Sequence, residues 1–174
     1  MPTLIAMCGL PFAGKSVLAA ALSRELRLRL LSYDSEIYPV HRRGAPAGAS
    51  VAAQYDFVQD IARREIATIL DSGQSLIYDD LLLERSDRRK LAAVARRHLA
   101  GFVLVYLDTP RSVIDERRAA NSRTRTRTSV PEAKIRTDVS LLQPPDAAEQ
   151  AIYVDPDYVL PEVLATVSAR LAGK

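Results

Sequence analysis

The chain has little of what several classes of protein need. Its 174 residues include no Trp and a single Cys, which excludes an intramolecular disulfide. No apolar run approaches the roughly 20 residues of a membrane-spanning helix, and the N-terminus shows no basic region followed by an apolar signal-peptide core. A net charge of only +3 does not by itself indicate nucleic-acid binding. These shortages favour a cytoplasmic location and no membrane partner.

Hydrophobic residues make up 48% of the chain, enough for a proper core, and one domain spanning residues 1–174 is expected. Short apolar runs alternate with segments of helical periodicity. The expected strands are 3–7, 28–33, 76–78, 102–107 and 151–154. The expected helices are 17–26, 51–72, 86–98, 109–121, 129–142 and 161–171. Residues 39–50 are expected to be loop because they hold two prolines and two glycines. This alternation predicts an α/β fold with a parallel sheet of about five strands and helices on both faces.

The stretch from Gly9 to Ser16 fits G-x-x-x-x-G-K-[ST], the pattern of a phosphate-binding P-loop, between a strand and a helix. Backbone N–H groups of such a loop and the helix N-terminus bind a phosphate chain. Lys15 is expected to reach the β- and γ-phosphates, and the Ser16 hydroxyl to bind Mg²⁺. The residues expected to bind the nucleotide are Gly9, Phe12, Ala13, Gly14, Lys15, Ser16 and Val17. Phe12 stands where many such loops have glycine, and Cys8 is expected to be a buried strand-end residue.

Several carboxylates follow the predicted strands, whose carboxyl ends meet at one edge of a parallel sheet. Asp79 has the position of an acid that holds Mg²⁺. Asp80 competes with it, but strand alternation points the two side chains in opposite directions, and we favour Asp79. Asp34 is expected to end the second strand, beside the P-loop strand, where it could accept a proton from an acceptor hydroxyl. A turn-forming role is the alternative, and Glu36 could assist.

Five arginines lie within eleven residues that contain no acid. They are Arg117, Arg118, Arg123, Arg125 and Arg127. This tract separates two predicted helices and predicts a lid at about residues 118–131, with one or two arginines reaching the transferring phosphate. Ser129 and Glu132 are expected to form a capping box for the next helix. Arg42 and Arg43 lie on the expected acceptor side, either binding an anion or facing solvent.

The order of these pieces resembles the small P-loop kinases of the adenylate-kinase-like group. It is most similar to the branch that includes the kinase domain of polynucleotide kinase and the seryl-tRNA kinase. The matching pieces are Gly9 to Ser16, Ser32 to Asp34, Leu76 to Asp79, Ser86 to Arg89, Val105 to Pro110, Arg117, Val130 to Glu132, Pro144 with Pro145, and Glu149. The resemblance implies ATP, Mg²⁺ and an arginine lid, and it supports Asp34 as the acid on the acceptor side and Arg117 as a lid residue. The residues expected to be catalytic are Asp34, Lys15, Arg117 and Arg123.

Two departures from the family concern the acceptor and the lid. Asp80, Leu81 and Leu82 stand where such proteins often have Ala-Thr-Asn, which removes polar groups near the acceptor. Asn121 stands where a second lid arginine is common, and Arg123 could replace it.

The leading hypothesis is an ATP-dependent kinase that phosphorylates a hydroxyl of a small molecule. A kinase of 5′-hydroxyl DNA or RNA ends is an alternative, but it should have stacking aromatics, and most Tyr and Phe fall on predicted buried faces. The third hypothesis is a nucleotide-binding switch or a partner-binding ATPase without an acceptor.

Overall fold

The computed structural model describes residues 1–124 and 129–173. Five parallel strands form a single sheet, as the alternation predicted. In chain order they are β1 (Thr3–Cys8), β2 (Arg29–Ser32), β3 (Leu76–Asp79), β4 (Gly101–Leu107) and β5 (Ile152–Val154). Their order across the sheet is β2-β3-β1-β4-β5. The P-loop strand β1 is therefore central, with β3 on one side and β4 on the other.

Helices cover both faces of the sheet. In chain order they are α1 (Lys15–Leu26), α2 (Tyr38–His41), α3 (Val51–Asp71), α4 (Arg85–Arg97), α5 (Arg111–Thr124), α6 (Glu132–Leu141) and α7 (Leu160–Leu171). No helix in residues 1–124 and 129–173 is long and apolar enough to cross a membrane.

The strands are buried on both sides, which explains their continuous apolar sequences. Alternate residues of β1 face opposite layers. Leu4 and Ala6 belong to a core shared with α3 and α4, whereas Ile5 and Met7 belong to a core shared with α1 and α7. Both cores fix β1 firmly, so the loop that follows it starts from a rigid position.

Three local predictions were wrong. The second strand lies beside β3 rather than beside the P-loop strand β1. Residues 39–50 are not all loop, because α2 and a 3₁₀ turn at Arg42–Gly44 occupy their first part. Pro39 is compatible with this because proline fits the first turn of a helix.

The predicted capping box at residues 129–132 is also absent: α6 begins at Glu132, and the N-cap Pro131 has no side-chain cap. The Glu132 carboxylate instead accepts hydrogen bonds from Arg111 and Arg118.

Candidate active site

The P-loop follows β1 and leads directly into α1. Gly9 and Gly14 have φ angles of 143° and 109°, values that L side chains rarely adopt, and these let the chain turn back between strand and helix. Phe12 also has a positive φ, 64°. Phe12 stands where many P-loops have glycine, and its backbone adopts the left-handed conformation although it has a side chain. The N–H groups of Val17 and Leu18 each donate to the Gly14 carbonyl at 3.1 Å. The N–H groups before them lie at the start of α1, where a helix generally leaves donors without an acceptor of its own, which suits an anion.

Lys15 is only 7% exposed and donates a hydrogen bond from Nζ to the Leu10 carbonyl at 2.8 Å. Burial lowers the pKa of its ammonium, while the charges of Asp79 and Asp80 oppose that effect, Asp79 more strongly. The carboxyl end of β3 therefore faces the P-loop lysine. Lys15, the first residue of α1, and Asp79, the last residue of β3, form the polar centre of this edge of the sheet.

Asp80 is held by a buried network. Its Oδ2 accepts hydrogen bonds from Gln59 Nε2 at 2.6 Å and from the Tyr78 hydroxyl at 3.3 Å, and its Oδ1 accepts one from the Leu81 N–H at 2.7 Å. Burial raises the pKa of Asp80 to about 6, although the bonds from Gln59 and Leu81 lower it. Gln59, on α3, was not identified from the sequence because its polar side chain lies at an apolar position of the helix.

Asp34 lies in a single π-helical turn, Tyr33–Ile37, directly after β2. Its side chain is exposed, whereas the flanking Tyr33 is buried. Glu36, proposed as an assistant, accepts a hydrogen bond from the Ser32 N–H at 3.0 Å and so caps this turn. Arg42 and Arg43 are exposed on the following turn, and the Arg42 guanidinium lies 5.7 Å from the centroid of the Tyr38 ring.

Arg117 contacts the P-loop backbone. Its NH1 donates to the carbonyls of Phe12 at 3.1 Å and Ala13 at 2.7 Å, and its NH2 donates to the Pro156 carbonyl at 3.4 Å. It lines a cavity of about 540 Å³ between the P-loop, α5 and the segment before α7. Val17 and Tyr158 also line it. The structure therefore brings Arg117 together with Phe12, Ala13, Gly14 and Val17 around one cavity, and nucleotide binding by these residues stays a prediction.

The other described arginines of the tract do not share one environment. Arg118 is bound by Asp115 of its own helix and by Glu132 at the start of α6. Arg123 is exposed in the last turn of α5, and Arg125 and Arg127 lie outside the described residues. Arg118 thus joins α5 to α6 at the base of the predicted lid, which had been expected to begin at about this residue.

A buried ion pair holds the loop that follows Asp79 and Asp80. Arg88 of α4 is 1% exposed and makes a two-pronged contact with Glu149, with distances of 2.7 and 2.8 Å. Its NH1 also donates to the carbonyls of Leu82 and Leu83. The sequence had marked Arg88 and Glu149 only as matching family pieces, since their 61-residue separation gave no sign that they pair.

Cys8 ends β1 and is fully buried. Burial raises the pKa of its thiol to about 11, and the thiol donates to the Leu82 carbonyl at 3.3 Å. It is a buried strand-end residue, as predicted.

Within residues 1–124 and 129–173, the structure contains no group of three or more His, Cys, Asp or Glu side chains that could hold a metal. Mg²⁺ does not need one, because it usually keeps several waters and takes one or two protein oxygens together with substrate phosphates. Ser16 in the first turn of α1 and Asp79 at the end of β3 are oxygen donors of that kind, at the edge of the sheet that carries Lys15. The residues present therefore fit such an ion.

A family model described as AAA domain matches residues 4–145, which covers β1 to β4, the P-loop and α6. The chain belongs to this family. No curated protein sequence matches the chain significantly.

Solved structures resemble this AAA domain chain over nearly its whole length. A sugar kinase from Janibacter sp. HTCC2649 has a TM-score of 0.73 at 18% identity, covering 99% of this chain and 95% of its own. The APS kinase of Mycobacterium tuberculosis, in complex with AMPPNP and APS, has a TM-score of 0.71 at 19% identity, covering 98% of each chain. Kti12 of Chaetomium thermophilum, in complex with ADP-AlF3, has a TM-score of 0.75 at 17% identity, covering 94% and 96%. The fold is that of P-loop NTPases.

Proposed function

We propose that this AAA domain protein is an ATP-dependent phosphotransferase that moves the γ-phosphate to a hydroxyl of a small molecule. The observation that carries the proposal is the placement of Asp34 and Asp79 after neighbouring strands β2 and β3, at the edge of the sheet that also carries Lys15. Two of the similar structures are named as kinases, one for a sugar and one for APS.

The transfer joins the acceptor oxygen to the γ-phosphorus and breaks the bond from that phosphorus to the β–γ bridging oxygen. ADP leaves, and the hydroxyl proton passes to Asp34, whose exposed carboxylate is free to meet an acceptor. Lys15 leaves the Leu10 carbonyl and binds the β- and γ-phosphates. Arg123, in the last turn of α5, is proposed to reach the transferring phosphate when the lid at about residues 118–131 closes.

Arg117 is proposed to act mainly through the P-loop. It is bound to two P-loop carbonyls, so it fixes the outer side of the loop while lining the cavity where the nucleoside would lie. A cavity of about 540 Å³ is within the usual range for small ligands. A catalytic contact between Arg117 and the phosphate requires that it exchange these carbonyls for phosphate oxygens.

Mg²⁺ is proposed to be held by Ser16 and Asp79. When bound, it neutralises charge on the phosphate oxygens. Asp79 is preferred to Asp80 because it is the last residue of β3 and its charge acts on Lys15 more strongly than that of Asp80.

Two alternatives remain separate hypotheses: a kinase of 5′-hydroxyl polynucleotide or RNA ends, as in the polynucleotide and seryl-tRNA kinase branch, and a nucleotide switch without an acceptor. We favour a small acceptor because Tyr33 and Tyr78 are buried, so neither offers an exposed ring on which a base could stack. A cytoplasmic location and a single domain over residues 1–174 also stay predictions.

The test is a turnover assay with γ-labelled ATP and Mg²⁺. Separate pools of sugars, nucleosides, amino-bearing antibiotics and 5′-hydroxyl oligonucleotides serve as acceptors. Label is expected on a small-molecule pool. Label on the oligonucleotide pool alone would replace the proposal by the polynucleotide-kinase alternative, and tight ATP binding without transfer would favour the switch.

A further inference from the structure

Three tyrosines lie together beside Asp34. Tyr33 comes from the π-helical turn after β2, Tyr38 from α2 and Tyr55 from α3. The centroid of the Tyr33 ring is 5.8 Å from that of Tyr38 and 5.5 Å from that of Tyr55. We call these three residues the tyrosine cluster. Because Asp34 adjoins Tyr33 in the chain, an acceptor that presents its hydroxyl to Asp34 lies near this cluster.

The Tyr33 hydroxyl is buried without a partner. The residue is 4% exposed, and no hydrogen bond reaches its hydroxyl from the described part of the chain. A buried polar group left unsatisfied destabilises the folded protein. By contrast, the Tyr78 hydroxyl, at the end of the same sheet, is bonded to both Gln59 and Asp80. The Tyr33 hydroxyl therefore keeps hydrogen-bonding capacity that the described part of the chain does not use.

The charges around this phenol are mainly negative. Burial raises the pKa of Tyr33, and the charges of Asp80, Asp34 and Asp56 raise it further. Two cations border the region. Lys15 is bonded within the P-loop, where the phosphates are expected, and Arg42 lies over the outer tyrosine, Tyr38.

We propose that the acceptor carries a protonated amine near its reacting hydroxyl, as an amino sugar or amino alcohol does. This inference rests on the proposed kinase function and names its acceptor class. The ammonium would lie between Asp34 and Asp56, donate to the oxygen of the Tyr33 hydroxyl, and face the tyrosine rings, whose π-faces attract cations. An anionic acceptor would meet like charges at Asp34 and Asp56, which disfavours it.

The test compares acceptors that differ in charge on one scaffold: glucosamine, glucose and glucuronate, and, on a smaller scaffold, ethanolamine, ethylene glycol and glycolate. Binding is measured by calorimetry on protein loaded with Mg²⁺ and AMPPNP, and transfer is measured with γ-labelled ATP. The amine of at least one scaffold is expected to bind at least about tenfold more tightly than its neutral counterpart, and the anion least. Where transfer occurs, kcat/KM should follow the same order.

Two variants locate the effect. Asp56→Asn should reduce the preference for the amine several-fold. Asp60→Asn, one turn along α3, is the matched control: the Asp60 side chain is exposed and paired with Arg63, and the substitution should leave that preference unchanged. Tyr33→Phe should weaken binding of the amine without lowering the free protein's melting temperature, because the hydroxyl has no bond to lose.

The outcomes separate the two proposals. The amine inference is overturned if a neutral or anionic acceptor is bound or phosphorylated in preference to the amine. It is also overturned if all the acceptors bind equally, or if none binds. Preferred transfer to a neutral or anionic acceptor overturns it while leaving the kinase function intact. Selective binding of the amines without transfer to any acceptor supports the inference about the site and contradicts the proposed function.

Discussion

Removing the Glu149 carboxylate should cost the protein a measurable part of its stability. Arg88 is 1% exposed and donates two hydrogen bonds to Glu149 and two to the carbonyls of Leu82 and Leu83. A hydrogen bond to a charged group contributes roughly 1.5–3 kcal/mol, and breaking a buried pair costs roughly 3–5 kcal/mol. The Glu149 side chain is 12% exposed, so water can replace part of the loss. We expect Glu149→Ala to lower the free energy of unfolding by about 3 kcal/mol.

Urea unfolding followed by circular dichroism measures this loss, which corresponds to a decrease in Tm of roughly 6–12 °C for a chain of this size. The control is Glu25→Ala, which breaks an exposed pair with Arg24 and should cost less than about 1 kcal/mol. The double variant Arg88→Met with Glu149→Leu should recover much of the loss, because it leaves no buried charge unpaired. A loss for Glu149→Ala no larger than that of the control would refute this account of the pair.

The same pair predicts a pH dependence. Burial alone would raise the pKa of Glu149, but the hydrogen bonds and charge of Arg88 outweigh it and hold the pKa below its usual value of 4.5. The stabilisation is therefore fully present above about pH 4.5 and is lost as the pH falls through the lower pKa of the folded state. Glu149→Gln should make the stability less dependent on pH in this acid range, and an unchanged acid profile would contradict the assignment.

Two further changes test the P-loop and the end of β1. Phe12→Gly should leave the protein about 1 kcal/mol more stable than Phe12→Ala. Both variants lose the packing of the side chain against the apolar cluster of Leu10, Leu83 and Ile114, but only glycine relieves the positive φ. Equal urea midpoints would contradict this. Burial raises the pKa of the Cys8 thiol from its usual 9.0 to about 11. Cys8 should therefore be alkylated at pH 8 roughly 100-fold more slowly in the folded protein than in the unfolded chain. Rapid alkylation of the native protein would contradict its burial.

The sequence predicted the features that depend on local pattern. Continuous apolar runs identified all five strands to within about two residues, and the strand–loop–helix context identified the P-loop. The choice of Asp79 over Asp80 as the metal ligand stays a prediction, and the buried network that holds Asp80 was not foreseen. The position of β2 was wrong because chain order does not specify which strands are neighbours in a parallel sheet.

The missed features depend on contacts between distant parts of the chain. Gln59 is a polar residue at an apolar position of α3, and its role is apparent only in the fold, where its Nε2 lies 2.6 Å from Asp80 Oδ2. Glu132 stood where a capping acid is common, but two arginines of α5 take its carboxylate and the helix starts there instead. In each case a tertiary hydrogen bond outweighed the local pattern.

The central claim is that Asp34 activates an acceptor hydroxyl, and the most direct measurement separates nucleotide binding from phosphoryl transfer in the Asp34→Asn variant. Once an acceptor is found, the variant should bind ATP within about twofold of the native affinity and form product at least roughly 100-fold more slowly. Lys15→Ala, the control, should weaken nucleotide binding itself. Product formation by Asp34→Asn at the native rate would contradict the claim.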